Sequence, residues 1–348
     1  MKWLHLESDY SRHPFKWWHI PLLILLIGGT VWIFINQRSE YEKWQYAEGS
    51  IFGTIYHISY KSMNNIEDSI LNVLNDVDSS LSIFNENSTI SKINSNESNS
   101  IDVMLSKVLN ASKTVCEQTD GAFDITVAPL VNAWGFGFKN SEDIDSIKID
   151  SILQFVGMDK IKINNNKILK SDKRIMIDCS AIAKGFGVDM VAEMFLRNNI
   201  HNFMVEIGGE VRTSGKNNKD QPWRIGINEP QDNVTSESQE LQNVIEISNL
   251  SIATSGNYRN YYIKDNKKYA HTIDPKTGYP VQHTILSSTV IANDCMTADA
   301  YATAFMVLGL EKSILLLQKH KELKAYFIYS NEDGNNSVWH SNGLVLDK

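Results

Sequence analysis

The fold class is decided by the stretch NFMVEIGGEVRTSG, residues 202–215. Apolar residues recur here at every second position, which is the period of a β-strand with one buried face. The central pair, Gly208 and Gly209, has two readings. A glycine pair can form a bulge in a strand, or it can let the backbone approach a flat ligand closely. The stretch therefore predicts strands that return through a turn.

The pattern extends in both directions from this stretch. Strands are predicted at 222–230 and 243–256, and a helix is predicted at 181–200. The other predicted elements are a strand at 50–60, helices at 66–84 and 104–120, a polar loop at 85–102, a polar surface segment at 139–150, a β-hairpin at 160–180 with its turn at 164–166, and a final helix from Thr297. Because the strands return through turns and the helices come in groups, we predict an α+β fold with antiparallel sheets and packed helices.

Composition and charge exclude several classes of protein. The 348 residues are 42% apolar and 21% charged, which is ordinary for a globular chain. A formal net charge of −8 disfavours a nucleic-acid partner, since such proteins are usually basic. Cys116, Cys179 and Cys295 form no C-x-x-C pair, so we predict small buried residues rather than zinc or redox chemistry.

The N-terminal segment differs from the rest of the chain in hydropathy. Residues 17–35 contain no Asp, Glu, Lys or Arg, tryptophans lie near both ends, and no small-residue cleavage site follows. A membrane-spanning helix needs about 20 such residues, and a buried core helix is the alternative. The predicted organisation is a cytoplasmic N-terminus at 1–16, one uncleaved transmembrane anchor at 17–36, a linker at 37–47, and a globular domain at 48–345 on the extracytoplasmic side of the bacterial cytoplasmic membrane.

Two acidic residues stand where packing alone does not require them. Asp124 lies in an apolar run, so its carboxylate is either a cap at a turn or an acceptor for a ligand. A predicted strand ends at Asp178, and a predicted helix begins near Ser180 with Lys184 about one turn inside it. The start of a helix beside a lysine can bind an anion, although this stretch lacks the spacing of a Walker motif.

A third place combines a histidine turn with the final predicted helix. The stretch HTIDPKTGYP at 271–280 holds His271 next to a turn restrained by two prolines and a glycine. Asp299 and Thr303 lie four residues apart on the helix and share a face, which the small neighbouring residues predict to be buried. Their oxygens, with a backbone carbonyl, suit Mg²⁺; a solvated surface pair is the alternative.

Together these stretches resemble the family of FAD:protein FMN transferases, the ApbE family, once described as thiamine-biosynthesis lipoproteins. The resemblance extends over residues 48–325 and implies an ApbE-like, T-fold-like domain. The matching stretches, in family order, are GSIFGTIYHISY, LSIFNENSTISKIN, GAFDITVAPLVNAWGFG, IDCSAIAKGFGVD, IGGEVRTSGKN, TSGNYRNYY, HTIDPKTGYPV and TADAYATAFMVLG.

The resemblance implies an enzyme that transfers the FMN moiety of FAD to a threonine or serine hydroxyl of a target protein, releases AMP and uses Mg²⁺. A phenylalanine replaces the family's usual methionine at position 52, and the family's lipid-anchor motif is absent. The implied residues are Phe52, Phe84, Ala122, Phe123, Asp124, Asp178, Lys184 and Ile273 for FAD, Ala181, Asp299 and Thr303 for Mg²⁺, and His271 as the catalytic base.

The implied partners are FAD, an acceptor flavoprotein of the membrane redox type and, through the N-terminal helix, the membrane itself. Two other functions are compatible with the same residues. Water could replace the acceptor hydroxyl, giving an FAD pyrophosphatase that yields FMN and AMP, or the protein could bind FAD without chemistry. A protein that only binds FAD is expected to lack His271 or a metal ligand, and all of these residues are present.

Overall fold

A computed structural model describes residues 19–136, 144–230, 241–257, 261–264 and 267–347. The chain divides into two compact units, with the boundary after Lys43 and with Ser62–Asn64 grouped with the first unit. The N-terminal helix belongs to the first unit, and the sheets and the other helices belong to the second.

Helices and strands alternate in groups along the chain. In chain order, the helices are α1 His19–Tyr41, α2 Glu67–Leu81, α3 Thr89–Asn94, α4 Val103–Gln118, α5 Ala128–Ala133, α6 Ser146–Leu153, α7 Ala183–Arg197, α8 Cys295–Leu308 and α9 Leu310–Lys319. The strands are β1 Lys43–Ile51, β2 Thr54–Ser62, β3 Ile161–Asn164, β4 Lys167–Lys170, β5 Phe203–Ile207, β6 Glu210–Ser214, β7 Trp223–Asn228, β8 Leu241–Ile247, β9 Ser251–Gly256, β10 Tyr261–Lys264, β11 Lys267–Ala270, β12 Ile285–Ala292, β13 Lys324–Ser330, β14 Asn336–His340 and β15 Leu346–Asp347.

One eight-stranded sheet organises the second unit, in the order β1-β2-β5-β6-β9-β12-β13-β14. Every pairing from β2 to β14 is antiparallel. The opening stretch forms β5 and β6, with Gly208 and Gly209 at the turn between them. The predicted α+β class with antiparallel sheets is therefore confirmed.

The two faces of this sheet bury different partners. Along β9 and β13, successive residues alternate: Ile252 and Tyr326 join one hydrophobic cluster, whereas Ala253 and Phe327 join another. The first cluster includes residues of a three-stranded sheet, β15-β8-β7, so that sheet covers one face. The second cluster includes residues of α4 and α8, so helices cover the other face. This is the period-two burial that the sequence pattern predicts.

Helices α7 and α8 lie side by side on the helical face of the sheet. Helix α7 contacts β5 and β6, and α8 contacts β9 and β12. Gly185 allows the close approach of the two helices, because a Cβ atom there would collide with the backbone carbonyl of Cys295. Gly185 thus serves the packing of one helix against the other.

The first strands differ from the single strand predicted at 50–60. A tight turn separates β1 from β2, with φ of 52° at Phe52 and 72° at Gly53. Strand β1 already begins at Lys43, so residues 43–47, which we assigned to a linker, belong to a strand.

Two short helices lie in segments predicted to be a polar loop and a polar surface segment. Helix α3 lies within 85–102, where the Ser88 side chain accepts a hydrogen bond from the Ser91 amide and the helix buries Ile90 and Ile93. Helix α6 begins within 139–150, where the Asp145 side chain caps it. Side-chain caps and a few buried residues stabilise these helices, rather than a long apolar period.

The predicted strand ending at Asp178 is also wrong. Residues 175–179 form no strand, because their backbone groups have other partners. The Ile177 amide donates to the Asn94 side chain, and the Asp178 amide donates to the Ile125 carbonyl. Helix α7 begins at Ala183, so Lys184 is its second residue and does not lie one turn inside.

The N-terminal segment forms helix α1 over His19–Tyr41. Over the ranges that the structure describes, no helix combines the length and the apolar character that crossing a membrane requires. Helix α1 occupies much of the predicted anchor at 17–36, but its side chains are described only over 20–32. The predicted cytoplasmic segment 1–16 lies outside the described residues.

Candidate active site

A cavity of about 460 Å³ lies where the 122–127 loop, the start of α7, the β5–β6 turn, the end of β9 and one face of α8 meet. The predicted site residues that line it are Phe84, Ala122, Phe123, Asp124, Asp178, Ala181, Lys184, His271, Ile273, Asp299 and Thr303. Residues that are far apart in the sequence are thus brought to one place.

Phe52 is not among the residues that line the cavity. It lies in the positive-φ turn between β1 and β2, and its ring packs against α7. A Cβ atom on Gly187 would lie 2.8 Å from the ring carbon Cε2 of Phe52. Phe52 is therefore partly buried against the hydrophobic core, and it does not line the cavity that the other predicted FAD residues share.

Asp124 acts as a cap in this structure. Its Oδ1 accepts hydrogen bonds from the Thr126 amide at 2.8 Å and the Thr126 hydroxyl at 2.6 Å, and its Oδ2 accepts from the Met158 amide at 3.0 Å. Burial raises the pKa of Asp124, and the hydrogen bonds from Thr126 and Met158 partly oppose that rise. Of the two readings, the cap is realised, and Asp124 lines the cavity as well.

The remaining predicted FAD residues occupy the rim and the walls. Phe84 is 77% exposed, which is unusual for a large aromatic side chain, and it lines the cavity. The Asp178 side chain accepts hydrogen bonds from the amide and the hydroxyl of Ser180. Ile273 is buried and pairs with Pro280 in an isolated β-bridge, which holds its backbone against the cavity.

His271 lies at the start of a tightly bonded turn. The Gly278 amide donates to the Asp274 carbonyl at 2.8 Å, and the Gly278 carbonyl accepts from Trp134 Nε1 at 2.8 Å. The His271 ring packs edge-on against Phe136, with 6.4 Å between the ring centroids. The turn thus restrains the backbone that carries His271 at the cavity wall.

Asp299 and Thr303 face the cavity from α8. Asp299 is 2% exposed, and its Oδ2 accepts a hydrogen bond from the Gly185 amide at 3.0 Å. Thr303 Oγ1 lies 3.1 Å from Ser255 Oγ, which also lines the cavity. Burial raises the pKa of Asp299, and the Lys184 charge opposes that rise. The predicted buried face of this helix is therefore present.

These oxygens fit a magnesium ion. Carboxylate, hydroxyl and carbonyl oxygens are the donors that Mg²⁺ prefers, and Asp299, Thr303 and Ala181 supply one of each at the same cavity. Among the described residues, no group of three or more His, Cys, Asp or Glu side chains could hold a metal. A Mg²⁺ site here would thus have one protein carboxylate and would depend on oxygens of a bound phosphate.

Glu210 is a lining residue that the sequence analysis missed. It follows the Gly208 and Gly209 turn, is 3% exposed, and has its Oε1 3.4 Å from Lys184 Nζ. Burial raises its pKa; the Lys184 charge opposes this rise, and the Asp299 charge adds to it. Burial lowers the pKa of Lys184, but Glu210 and Asp299 outweigh that effect and raise it overall. An acidic residue directly after a glycine turn, at the start of a buried strand, is the signal that could have identified it.

A second buried ion pair was missed as well. Arg212 Nη1 on β6 lies 2.6 Å from Asp189 Oδ1 on α7. The Asp189 carboxylate also accepts hydrogen bonds from the amides of Cys295 at 2.9 Å and Met296 at 2.8 Å, at the start of α8. One carboxylate thus joins α7, β6 and α8, the elements that carry Lys184, Glu210 and Asp299.

Comparison with known proteins places this arrangement in one family. The sequence model described as the ApbE family matches residues 52–327. An FAD:protein FMN transferase from Haemophilus influenzae is 37% identical over 303 residues, which cover 82% of this chain and 86% of that protein. An FAD:protein FMN transferase from Vibrio cholerae is 35% identical over 297 residues, covering 82% of this chain and 87% of that protein.

Solved structures agree with this result. Flavin transferase ApbE from Vibrio cholerae has a TM-score of 0.76 and 31% identity, covering 86% of this chain and 98% of that chain. The apo form of Pseudomonas stutzeri flavinyl transferase ApbE has a TM-score of 0.77 and 28% identity, covering 86% of this chain and 95% of that chain. By sequence and by fold, this chain belongs to the ApbE family.

Proposed function

We propose that this protein is an FAD:protein FMN transferase, which moves the FMN moiety of FAD to a threonine or serine hydroxyl of an acceptor flavoprotein and releases AMP. The observation that carries the proposal is the single cavity that gathers His271, Lys184 and Asp299. A base, a cation for phosphate and a metal-binding carboxylate are the groups that this transfer needs. Relatives named for this activity match most of the chain.

The proposed reaction forms one bond and breaks another at the FMN phosphorus. The acceptor hydroxyl oxygen bonds to this phosphorus, and the P–O bond to AMP breaks. AMP leaves with the bonding electron pair, and the hydroxyl proton passes to a ring nitrogen of His271. Because a hydroxyl is a weak nucleophile, a positioned base contributes roughly 10²–10⁴-fold to the rate.

We further propose that Asp299, Thr303 and the backbone carbonyl of Ala181 hold Mg²⁺. When bound, Mg²⁺ would neutralise charge on the pyrophosphate and on the departing AMP. Since Asp299 is the sole carboxylate of this set, much of the metal affinity must come from FAD itself. Metal and FAD should therefore bind cooperatively, each tightening the other by the same factor.

Calorimetric titration of Mg²⁺, with and without FAD, tests this site. Asp299→Asn keeps the shape but removes the charge, and we expect Mg²⁺ affinity to fall by roughly 10–100-fold or more. Asp294→Asn is the matched control, because Asp294 caps the same helix through the Thr297 amide and does not line the cavity. Equal Mg²⁺ affinity in the native protein and Asp299→Asn, or no coupling to FAD, would refute the site.

The transferase activity itself is tested by incubating the protein with FAD, Mg²⁺ and a redox flavoprotein subunit prepared without its flavin. Flavin fluorescence that stays with the subunit on a denaturing gel, together with an equal amount of AMP, is the expected result. Release of FMN and AMP with no labelled subunit would identify a pyrophosphatase instead. Bound but intact FAD would identify a binding protein.

We also propose that the acceptor is a redox subunit of the cytoplasmic membrane and that the domain acts on the extracytoplasmic side. The exposed apolar side chains of α1, including Leu25 and Trp32, support association with a membrane. A reporter fused after Lys348 should be active only outside the cytoplasm, and the protein should fractionate with membranes. Activity of the reporter in the cytoplasm would contradict the proposal.

A further inference from the structure

Two ion pairs connect the same strand to the same helix. Glu210 and Arg212 stand two residues apart on β6, so their side chains share a face of the sheet. Each faces a residue of α7: Arg212 Nη1 lies 2.6 Å from Asp189 Oδ1, and Lys184 Nζ lies 3.4 Å from Glu210 Oε1. The pairs also have opposite order, with the cation on the strand in one and on the helix in the other.

The two pairs differ in how completely their groups are hydrogen-bonded. Both oxygens of Asp189 are used, because they also accept the amides of Cys295 and Met296. Glu210 is as deeply buried, yet its Oε2 has no hydrogen-bond partner within the described ranges. In that part of the chain, Glu210 is also the one ion-pair partner of Lys184, whose ammonium can donate three hydrogen bonds.

The incompletely hydrogen-bonded pair of Glu210 and Lys184, called the open pair below, is not expected to stabilise the fold. A buried carboxylate oxygen without a hydrogen bond destabilises the fold, because it has lost water and gained nothing. Lys184, by contrast, keeps 29% of its side chain exposed, and both residues line the cavity. The pair therefore leaves an ammonium with unused donors at the wall of a ligand site.

A second carboxylate competes for the same ammonium. Asp299, on α8, also lines the cavity and acts electrostatically on Lys184. Without Glu210, the attraction of Asp299 would dominate and would draw the lysine toward the proposed metal ligand. Two acids on two different elements therefore act on the charge of Lys184.

We propose that Glu210 is a positioning residue that holds Lys184 where its free donors bind a phosphate oxygen of FAD, and away from Asp299. This inference rests on the proposed use of FAD as substrate. Glu210 acts through Lys184 and does not itself contact the flavin, so its effect should depend on the phosphates of the ligand. Riboflavin, which carries the same ring and ribityl chain but no phosphate, is therefore the discriminating probe.

The test is a double-mutant cycle on the full chain without added metal. Affinities for FAD and for riboflavin are measured by quenching of flavin fluorescence in the native protein, Glu210→Gln, Lys184→Met and the double variant. We expect each single variant to weaken FAD by roughly 10–100-fold, the range of a hydrogen bond to a charged group, and to leave riboflavin unchanged. The double variant should bind FAD no more weakly than Lys184→Met alone, since the two residues act as one unit.

Arg212→Met is the matched structural control, because it breaks the other ion pair between the same two elements. It should lower Tm by more than Glu210→Gln does, and it should leave the ratio of FAD to riboflavin affinity at the native value. Glu210→Asp keeps the charge at a shorter reach, and it should recover part of the FAD affinity that Glu210→Gln loses.

Three results would overturn the proposal. Multiplicative losses in the double variant would show that Glu210 acts independently of Lys184. An equal loss of riboflavin affinity in Glu210→Gln would show a general disturbance of the cavity. Native FAD affinity in Lys184→Met would remove the phosphate contact on which the positioning depends, whereas the flavin-transfer assay would still decide the function separately.

Discussion

Two positions on α7, five residues apart, show how differently one helix can treat buried charge. At Asp189, an arginine and two backbone amides use the carboxylate fully, and three elements are joined. At Lys184, the ammonium has one ion-pair partner among the described residues, Glu210 at 3.4 Å, and it lines the cavity. A buried charged group whose hydrogen bonds are all made within the protein stabilises the fold. A charged group with unused hydrogen-bonding capacity instead marks a place where a ligand can bind.

The largest effect expected on the cavity side is a loss of rate without a loss of stability. His271→Ala should slow flavin transfer by roughly 10²–10⁴-fold, because a base acts in the chemical step. FAD affinity and Tm should stay near the native values. Single-turnover transfer and calorimetric FAD binding measure the two quantities, and transfer at the native rate would show that His271 is not the base.

His283→Ala is the control histidine for that experiment. Its Nε2 meets the Met306 carbonyl, and burial lowers its pKa, so it behaves as a structural residue. We expect it to lower Tm while leaving the transfer rate of the folded protein unchanged. A similar loss of rate in both histidine variants would remove the distinction between scaffold and site.

The largest effect expected on the scaffold side is a loss of stability without a loss of function. Arg212→Met leaves the Asp189 carboxylate buried without its cation, which should lower the free energy of unfolding by about 3–5 kcal/mol. Urea denaturation measures this change, and transfer by the remaining folded protein should keep its native rate. A decrease in the free energy of unfolding of less than about 1 kcal/mol would show that this pair contributes no more than a solvent-exposed salt bridge.

The smallest expected effect concerns pH and the open pair. Burial raises the pKa of Glu210 above its ordinary 4.5, although the Lys184 charge opposes the rise, so the native state holds this proton more tightly than the unfolded state. The stability that this adds is complete below about pH 4.5 and is lost as pH rises through the raised native pKa. Between about pH 6 and about pH 9, Tm should therefore fall more in the native protein than in Glu210→Gln. Parallel Tm curves would contradict the shifted titration.

Much of the fold could be predicted because buried apolar residues recur at regular spacing along a single helix or strand. The apolar period of α2 and α4 and the turn between β3 and β4 are local properties, and they are confirmed. The helices α3 and α6 were missed, since each depends on one capping side chain and a few buried contacts. Residues 175–179 were wrongly predicted to be a strand. The sequence pattern of an extended segment is the same whether its backbone hydrogen-bonds to a strand or to a loop.

Site residues could be predicted where a sequence motif contains them. They could not be predicted where their role depends on which elements pack against each other. The lining positions of Lys184, Asp299 and Thr303 followed from such motifs. The contacts of Glu210 and Arg212 could not follow in this way, because they depend on which helix lies across β6. That information is carried by the three-dimensional arrangement of segments, not by spacing in the sequence.

The strand order of the large sheet has a consequence for how the protein is made. His57 on β2 pairs with Glu206 on β5, which lies 149 positions later in the chain. During synthesis β2 must therefore wait, with one edge unpaired, while the helices of the intervening region form from local contacts. Sheet closure should be the slow event in folding, on the order of milliseconds to seconds, and the waiting edge is where a chaperone would give most protection against aggregation.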